Sequence, residues 1–356
     1  MRPLSLFVLV PSLLPTSPIR GAIALANGMA GIHKVTLVNL KAGSGVNALL
    51  DPRVKQMSLA HVSGGWAGKL RAYQHLLSTA GGRKDVASIS MCFSADLLNR
   101  FCHAHAFTFA SVRGNLPENY RLEYGPCGYV LSLLHLQVLR GFDRVTAMSS
   151  AMAAQLARHL GRAPEVIGNF VDEAELEPYR QVQFPRSGLR LAFVGNLSHL
   201  KRPDLAVQAL GGLHPDARLD VIGVGPLRGK LERLVRRLDL GSRVVFHGYL
   251  AEPFTKVAKA DVLVLPSLSE GISRAALEAL HLGVPCVLRD VDGNRELIRP
   301  GYNGELFARN EDLPQAIHAA LTINPTPAAR FRESLLPSNF RQKCVVDRYL
   351  NLIESR

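Results

Sequence analysis

Cysteine is scarce in this chain and scattered. Its 356 residues hold five, Cys92, Cys102, Cys127, Cys286 and Cys344, with no Cys-x-x-Cys pair. An odd, widely spaced set argues against a disulfide framework or a zinc site and fits reduced thiols in a cytosolic protein. No apolar run reaches the ~20 residues that span a bilayer. Low-complexity sequence is missing, and the only repetition is one of architecture. Apolar residues make up 47% and charged residues 20%, which argues against disordered and fibrous classes. Aromatic residues are few, at 6% with one Trp, and are not interleaved with basic ones. With no helix-turn-helix or finger spacing either, nucleic acid is not an expected partner.

Acidic residues are in deficit, 29 Asp and Glu against 42 Lys and Arg, for a net charge of +13. The deficit is uneven. Residues 1–166 hold 17 basic and 7 acidic side chains, a net of +10, and residues 167–356 hold 25 and 22, a net of +3. A solvated, arginine-rich surface would account for this. So would a face that meets anionic lipid or an anionic acceptor.

The length allows two domains with separate cores. Met1-Arg2-Pro3 followed by the apolar run from Leu4 to Leu14 has the outline of a signal peptide. A first strand at 4–10 is the preferred reading, because a helical stretch and a second strand-like run at 35–40 follow at βαβ spacing. Apolar, β-branched runs alternate with helical patterns throughout, which predicts α/β architecture with parallel sheets. In the first half, strands are expected at 4–10, 35–40, 86–91, 106–111 and 144–147, and helices at 20–30, 69–79, 128–140 and 150–160. In the second half, strands are expected at 190–194, 219–222, 244–246, 262–265 and 286–289. Helices are expected there at 203–210, 227–238, 253–259 and 274–282. Asn169, Pro178 and Pro185 break the periodicity between the halves. The expected domains are 1–166, joined by a C-terminal amphipathic helix within 340–356, and 167–339.

The most informative segment is Pro266-Ser267-Leu268-Ser269-Glu270-Gly271-Ile272-Ser273-Arg274-Ala275-Ala276-Leu277-Glu278. It follows a predicted buried strand and runs into a helix. Glu270 and Glu278 are eight residues apart, just over two helical turns, so both can face one edge. Small residues at the helix start leave backbone N–H groups open to phosphate. Solvated helical glutamates are the bland alternative, but Glu270 falls in a loop after a strand. Earlier, a strand ends at Gly195, and Lys201 precedes a helix. A lysine beyond the carboxyl end of a strand can supply charge to a diphosphate. Gly223 and Gly225 follow another strand, yet Arg228 stands where a dinucleotide fingerprint needs a third glycine. A nicotinamide site is therefore not expected.

Taken together these segments resemble the C-terminal half of the family 4 retaining glycosyltransferases (glycosyl transferases group 1), which have the GT-B fold. The resemblance runs in order over about half the chain. It begins at Ile167-Gly168-Asn169 and continues through Phe193-Val194-Gly195-Asn196-Leu197 with Lys201. Ile222-Gly223-Val224-Gly225, Val245-Phe246-His247-Gly248-Tyr249 and Ala260-Asp261-Val262 follow. The spaced glutamates, Gly283-Val284-Pro285 and Gly293-Asn294-Arg295-Glu296-Leu297 complete it. The resemblance implies two Rossmann-like domains with parallel sheets facing an inter-domain cleft. It implies a nucleotide-diphosphate sugar on the C-terminal domain and an acceptor on the N-terminal one, in the manner of members that build surface polysaccharide or lipopolysaccharide.

Carried over residue by residue, the resemblance gives Lys201 the donor diphosphate, Glu270 the donor sugar's hydroxyls and Glu278 the ribose. Backbone N–H groups of Gly271, Ile272, Ser273 and Arg274 would hold phosphate or sugar. Gly195, Asn196, Gly223 and Gly225 would line the nucleotide crevice, with Gly248, Tyr249 and Leu250 beside the base. Arg113, in Ser111-Val112-Arg113-Gly114, would reach the reacting groups together with Lys201 and Glu270. Other members carry a histidine in this region, and His103 and His105 are the nearest candidates.

The chain departs from the family pattern twice. Asn196 stands where an arginine is frequent, so phosphate binding would lean on Lys201 and on Arg202 or Arg274. The loop from Pro15 to Gly21 has one glycine where a pair is common. Asp290-Val291-Asp292 has the spacing of a metal motif but falls in the Gly293–Leu297 region and is read as structural. No metal and no cofactor besides the donor are expected.

The function that follows is glycosyl transfer with retention, from a nucleotide sugar to a glycan or lipid-linked acceptor. The expected place is the cytoplasmic face of a membrane, peripherally bound. An epimerase or hydrolase of sugar nucleotides on the same fold, and a non-catalytic partner protein, are the alternatives.

Overall fold

A computed structural model of the chain describes residues 3–14, 16–43, 49–180, 188–323 and 333–355. Pro15 of the first predicted loop and Pro185 of the predicted boundary lie outside the described residues. The chain divides into two compact units, Met1–Val171 with Arg341–Arg356, and Asp172–Phe340.

The first unit runs β1 (Ser5–Val10), α1 (Ser17–Met29), β2 (Lys34–Asn39), β3 (Lys55–Ser58), α2 (Gly65–Ala80) and β4 (Val86–Ser90). It continues α3 (Phe93–Asn99), β5 (Phe107–Val112), α4 (Leu116–Arg140), β6 (Arg144–Ala147), α5 (Ser150–Leu160) and β7 (Glu165–Val166). The second runs α6 (Glu173–Arg180), β8 (Arg190–Val194), α7 (Pro203–Gly211), β9 (Arg218–Ile222), α8 (Arg228–Arg237), β10 (Val244–Gly248) and α9 (Phe254–Ala258). It closes with β11 (Val262–Leu265), α10 (Arg274–His281), β12 (Cys286–Arg289), α11 (Asn294–Leu297), β13 (Gly304–Phe307) and α12 (Leu313–Leu321). The last helix, α13 (Gln342–Glu354), returns to the first unit.

Each unit is built on one parallel sheet. The first has seven strands in the order β3-β2-β1-β4-β5-β6-β7, and the second has six in the order β10-β9-β8-β11-β12-β13. Both start in the middle, wind outward and restart on the other side. The order reverses between β1 and β4 in one unit and between β8 and β11 in the other, and doubly wound sheets bind ligands at the carboxyl end of such a switch point. The sequence explains the centres of the sheets. In β1, Leu6, Val8 and Val10 pack into one core and Phe7 and Leu9 into the other, as expected of a strand covered on both faces.

Ten strands match expected runs. Three do not: β3, β7 and β13 lie at sheet edges. In β3, Lys55, Gln56 and Ser58 are exposed, so no apolar run marks the strand. The short helices α3, α6, α11 and α12 were likewise not expected. The expected helix at 128–140 is the second part of a longer element broken at Gly125, with φ 63° and ψ −150°. That region of backbone space is essentially confined to glycine. Helix α13 is tied to the first unit by Gln342 Nε2, which donates to Ala24 O at 3.1 Å, and by a 2.8 Å hydrogen bond between the Tyr349 and Ser111 hydroxyls.

Candidate active site

In the second unit, the loops leaving β8, β9, β10, β11 and β12 are stitched together by backbone. Gly195 N donates to Ile222 O at 3.0 Å, Gly223 N to Gly248 O at 2.7 Å and Leu197 N to Val224 O at 2.9 Å. A Cβ on Gly223 would come within 1.9 Å of Gly195 O, and one on Gly225 within 2.3 Å of Asn196 Oδ1. Both have φ in the positive range, 141° and 159°, so glycine is needed on both counts. Asn196 therefore packs over the Gly225 backbone. Tyr249 and Val224 stand beside these turns, 53% and 55% exposed, as an apolar rim.

Lys201 and Glu270 come from either side of the β8/β11 switch point. Leu268 N donates to Leu200 O at 2.8 Å and draws the two loops together. Lys201 Nζ then lies 2.5 Å from Glu270 Oε1. The carboxylate is buried while the ammonium is about a quarter exposed. Such a pair, half in water, can exchange its partner for a ligand's charge and hydroxyls.

The remaining cations are engaged. Arg202 grips Asp204 through Nε and Nη2, at 3.0 and 2.8 Å. Arg274, the first residue of α10, donates to Glu278 one turn later at 3.1 Å, and both are buried. Of the three basic residues named for phosphate, only Lys201 is paired to the loop carboxylate.

Helix α10 is capped by Ser273, whose Oγ accepts from Ala276 N. Gly271, Ile272 and Ser273 form the buried approach to it. A Cβ on Gly293 would sit 1.5 Å from Gly271 O, so this glycine lets the loop after β12 pass under the Glu270 loop. Ser269 donates to Asp292 at 2.9 Å, and Arg295 pairs with Asp290 at 2.5 Å. Both carboxylates of the Asp-Val-Asp triplet thus hold loops. Nearby, Arg289 is buried against Pro266 O and Asn310. Burial and the neighbouring Arg202 lower its pKa.

The first unit has a cavity of about 350 Å³ at its own switch point, lined by Pro18, Cys92, Arg113, Tyr120 and His135 among others. Arg113 follows β5. Its Nη2 donates to Asn169 Oδ1 at 2.9 Å, and desolvation lowers its pKa, opposed by the Tyr349 hydroxyl. Gly21, the single glycine of the Pro15–Gly21 stretch, lies in α1, where a Cβ would collide with Arg113 Nη2 at 2.1 Å. Its smallness makes room for the guanidinium.

Sequence reasoning missed the cavity's triad of Asp96, His135 and Tyr120, the first two of them buried. His135 Nε2 lies 2.8 Å from Asp96 Oδ2, with both side chains at most 3% exposed. Ser90 Oγ fixes the other carboxylate oxygen at 2.7 Å, and the Tyr120 hydroxyl is 3.2 Å from His135 Nδ1. A straight helix would separate residues 120 and 135 by ~22 Å along its axis. The break at Gly125 brings them together, and Gly128 permits it, since a Cβ there would lie 1.9 Å from Tyr120 O. Two glycines flanking Pro126 and Cys127 were the only signal. His103 and His105 instead precede β5, at the end of the strand opposite Arg113. His103 O accepts from Arg83.

Two parallel sheets of this order define the GT-B fold, and solved structures bear this out. The Anabaena protein HepE in complex with UDP-glucose superposes with a TM-score of 0.78 at 16% identity, over 99% of this chain and 100% of that one. Sucrose-phosphate synthase from Thermosynechococcus elongatus gives 0.78 at 18% identity, over 99% and 98%.

The family model described as Glycosyl transferases group 1 matches residues 179–334, all within the second unit. Lipopolysaccharide 1,6-galactosyltransferase of Salmonella typhimurium is 35% identical over 95 residues, 25% of this chain and 26% of that protein. D-inositol 3-phosphate glycosyltransferase 2 of Catenulispora acidiphila is 30% identical over 225 residues, 56% of this chain and 52% of that one. The chain thus spans a quarter to about half the length of these curated relatives.

Proposed function

We propose that this protein is a retaining glycosyltransferase. It moves a sugar from a nucleotide-diphosphate donor to a hydroxyl of a glycan or lipid-linked acceptor. The observation that carries the reading is the Lys201–Glu270 pair at the β8/β11 switch point. The Glycosyl transferases group 1 match around it supports the reading, as do the glycosyltransferases among its relatives.

Departure of the nucleoside diphosphate puts negative charge on the β-phosphate and positive charge on the sugar. Lys201 meets the first, aided by the backbone N–H groups of Gly271 to Arg274. Glu270 orients the sugar by its hydroxyls. Glu278, held by Arg274, is assigned to the ribose, and Gly248, Tyr249 and Leu250 to the base. The bond from the anomeric carbon to phosphate breaks, the leaving diphosphate keeps the electron pair, and the acceptor oxygen takes its place on the same face. The departing phosphate accepts the acceptor's proton. The reading needs no resident metal or cofactor.

Peripheral membrane contact belongs to the same proposal. The first unit holds 21 Lys and Arg against 9 Asp and Glu, a net of +12, and the second 21 against 20, a net of +1. On the outward side of α4, Tyr129, Val130, Leu133 and Leu134 are exposed. A helix apolar on its outer side needs an apolar neighbour, and basic flanks suit an anionic lipid surface.

The test is release of nucleoside diphosphate from a panel of donors with lipid-linked and glycan acceptors. Acceptor-dependent release that Glu270→Ala abolishes, in a folded protein, is the expected result. Conversion of donor with no acceptor present would instead favour an epimerase or hydrolase. Absence of saturable nucleotide binding would favour a non-catalytic protein.

A further inference from the structure

We propose that the cavity of the first unit seats an anionic acceptor, a hydroxyl compound that carries a phosphate or carboxylate. This rests on the glycosyl-transfer reading above and names the class of molecule that receives the sugar. Three observations carry it.

The first is Arg113. It lines the cavity half-buried, with Nη1 buried and without a hydrogen-bond partner among the described residues and Nη2 donating to the neutral Asn169. A desolvated cation without a carboxylate partner favours an anion beside it.

The second is the direction of the hydrogen bonds in the triad. A carboxylate only accepts, so His135 Nε2–H donates to Asp96, and Ser90 holds that carboxylate in place. In the neutral imidazole Nδ1 is then left to accept, and the Tyr120 hydroxyl donates to it. The lone pairs of the Tyr120 oxygen then serve as an acceptor for a ligand O–H. The cavity offers one cation and one oriented acceptor oxygen, which together match a molecule with both an anionic group and a hydroxyl.

The third is size. About 350 Å³ is at the small end of small-molecule sites and suits a polyol or monosaccharide carrying one such group. Two sources supply such an anion, a free sugar phosphate and a lipid diphosphate that carries a sugar. Glu123 also lines the cavity but is exposed, so it meets water and sits at the rim.

The experiment is calorimetric titration of the full chain with matched pairs: inositol 1-phosphate against inositol, glucose 6-phosphate against glucose, and farnesyl-diphosphate-linked N-acetylglucosamine against its uncharged farnesyl glycoside. At least one charged member is expected to bind tenfold or more tightly than its partner. Preference among the soluble pairs would point to a free phosphate, and preference in the farnesyl pair to a lipid-borne one; either supports the proposal. Arg113→Gln should bring the ratio to within about twofold, and Arg113→Lys should restore part of it. Tyr120→Phe should weaken both members of a pair alike. Nucleoside diphosphate binding is measured alongside in the wild type, where it should be saturable. No preference in the wild type, or an undiminished ratio in folded Arg113→Gln, overturns the proposal. Loss of nucleotide binding in the wild type would instead overturn the transferase reading on which it rests.

Discussion

Lys201 and Glu270 meet because two loops are held together by backbone, not because they are near in sequence. A single atom change tests what the pair does. Glu270→Gln keeps the side chain's size and removes the charge that faces Lys201. The expected outcome is a loss of kcat/KM of about 100-fold, in the range for a group aimed at the reacting centre, with little change in the melting temperature. Gly293→Ala tests the packing beneath the pair. Its Cβ would lie 1.5 Å from Gly271 O, and overpacking of this kind costs about 1–3 kcal/mol. Chemical denaturation should show that loss, with donor affinity falling too because the Glu270 loop must move. Both residues were legible in the sequence, since Glu270 and Gly293 fall in ordered motifs. The pairing of Glu278 with Arg274 was not, although the i,i+4 spacing allows it.

Among the elements, α4 teaches the most. Its first turns carry Tyr120, and the part beyond Gly125 carries His135. The sequence showed only the second part as a helix, because Gly125-Pro126 ended the periodic pattern there. The expected outcome of Gly128→Ala is separation of the two limbs, since a Cβ at that position has no space under Tyr120 O. Tyr120 and His135 should then lose their hydrogen bond, seen as a change in the His135 imidazole resonances. The same element exposes Cys127, whereas Cys102 and Cys286 are buried. Burial pushes the thiols of Cys92 and Cys102 up to about 12, Asp96 adding to the effect at Cys92. A thiol with so high a pKa is ionised to only ~1 part in 10⁴ at pH 8. Alkylation followed by mass spectrometry should therefore modify Cys127 well before Cys92, Cys102 or Cys286. Equal labelling of all four would contradict this account of their burial.

For the whole molecule, the inner strands were readable because each is rich in apolar and β-branched residues. The edge strands β3, β7 and β13 were not, since one side of each pairs with nothing and needs no such run. The parallel sheets followed from the alternation of strand and helix, and their Rossmann-like form from the family resemblance. The Asp96–His135–Tyr120 triad did not, because its members come from α3 and from the two limbs of α4 and meet only through a glycine break. Charge behaves as a property of the unit. With +12 on the first and +1 on the second, anionic vesicles should retain the protein at low salt and release it as salt screens the attraction. Binding that ignores both salt and lipid charge would argue against an electrostatic anchor.

The central claim is that Lys201 and Glu270 grip a diphosphate-linked sugar at the ends of the second unit's strands. Calorimetric titration of the wild type and of Lys201→Met with the common nucleoside diphosphates tests it most directly. The account predicts saturable binding of at least one of them and a fall in affinity of about tenfold or more in Lys201→Met, as expected when one charge-assisted contact is lost. Equal affinity in the two proteins, or no binding to either, would contradict it.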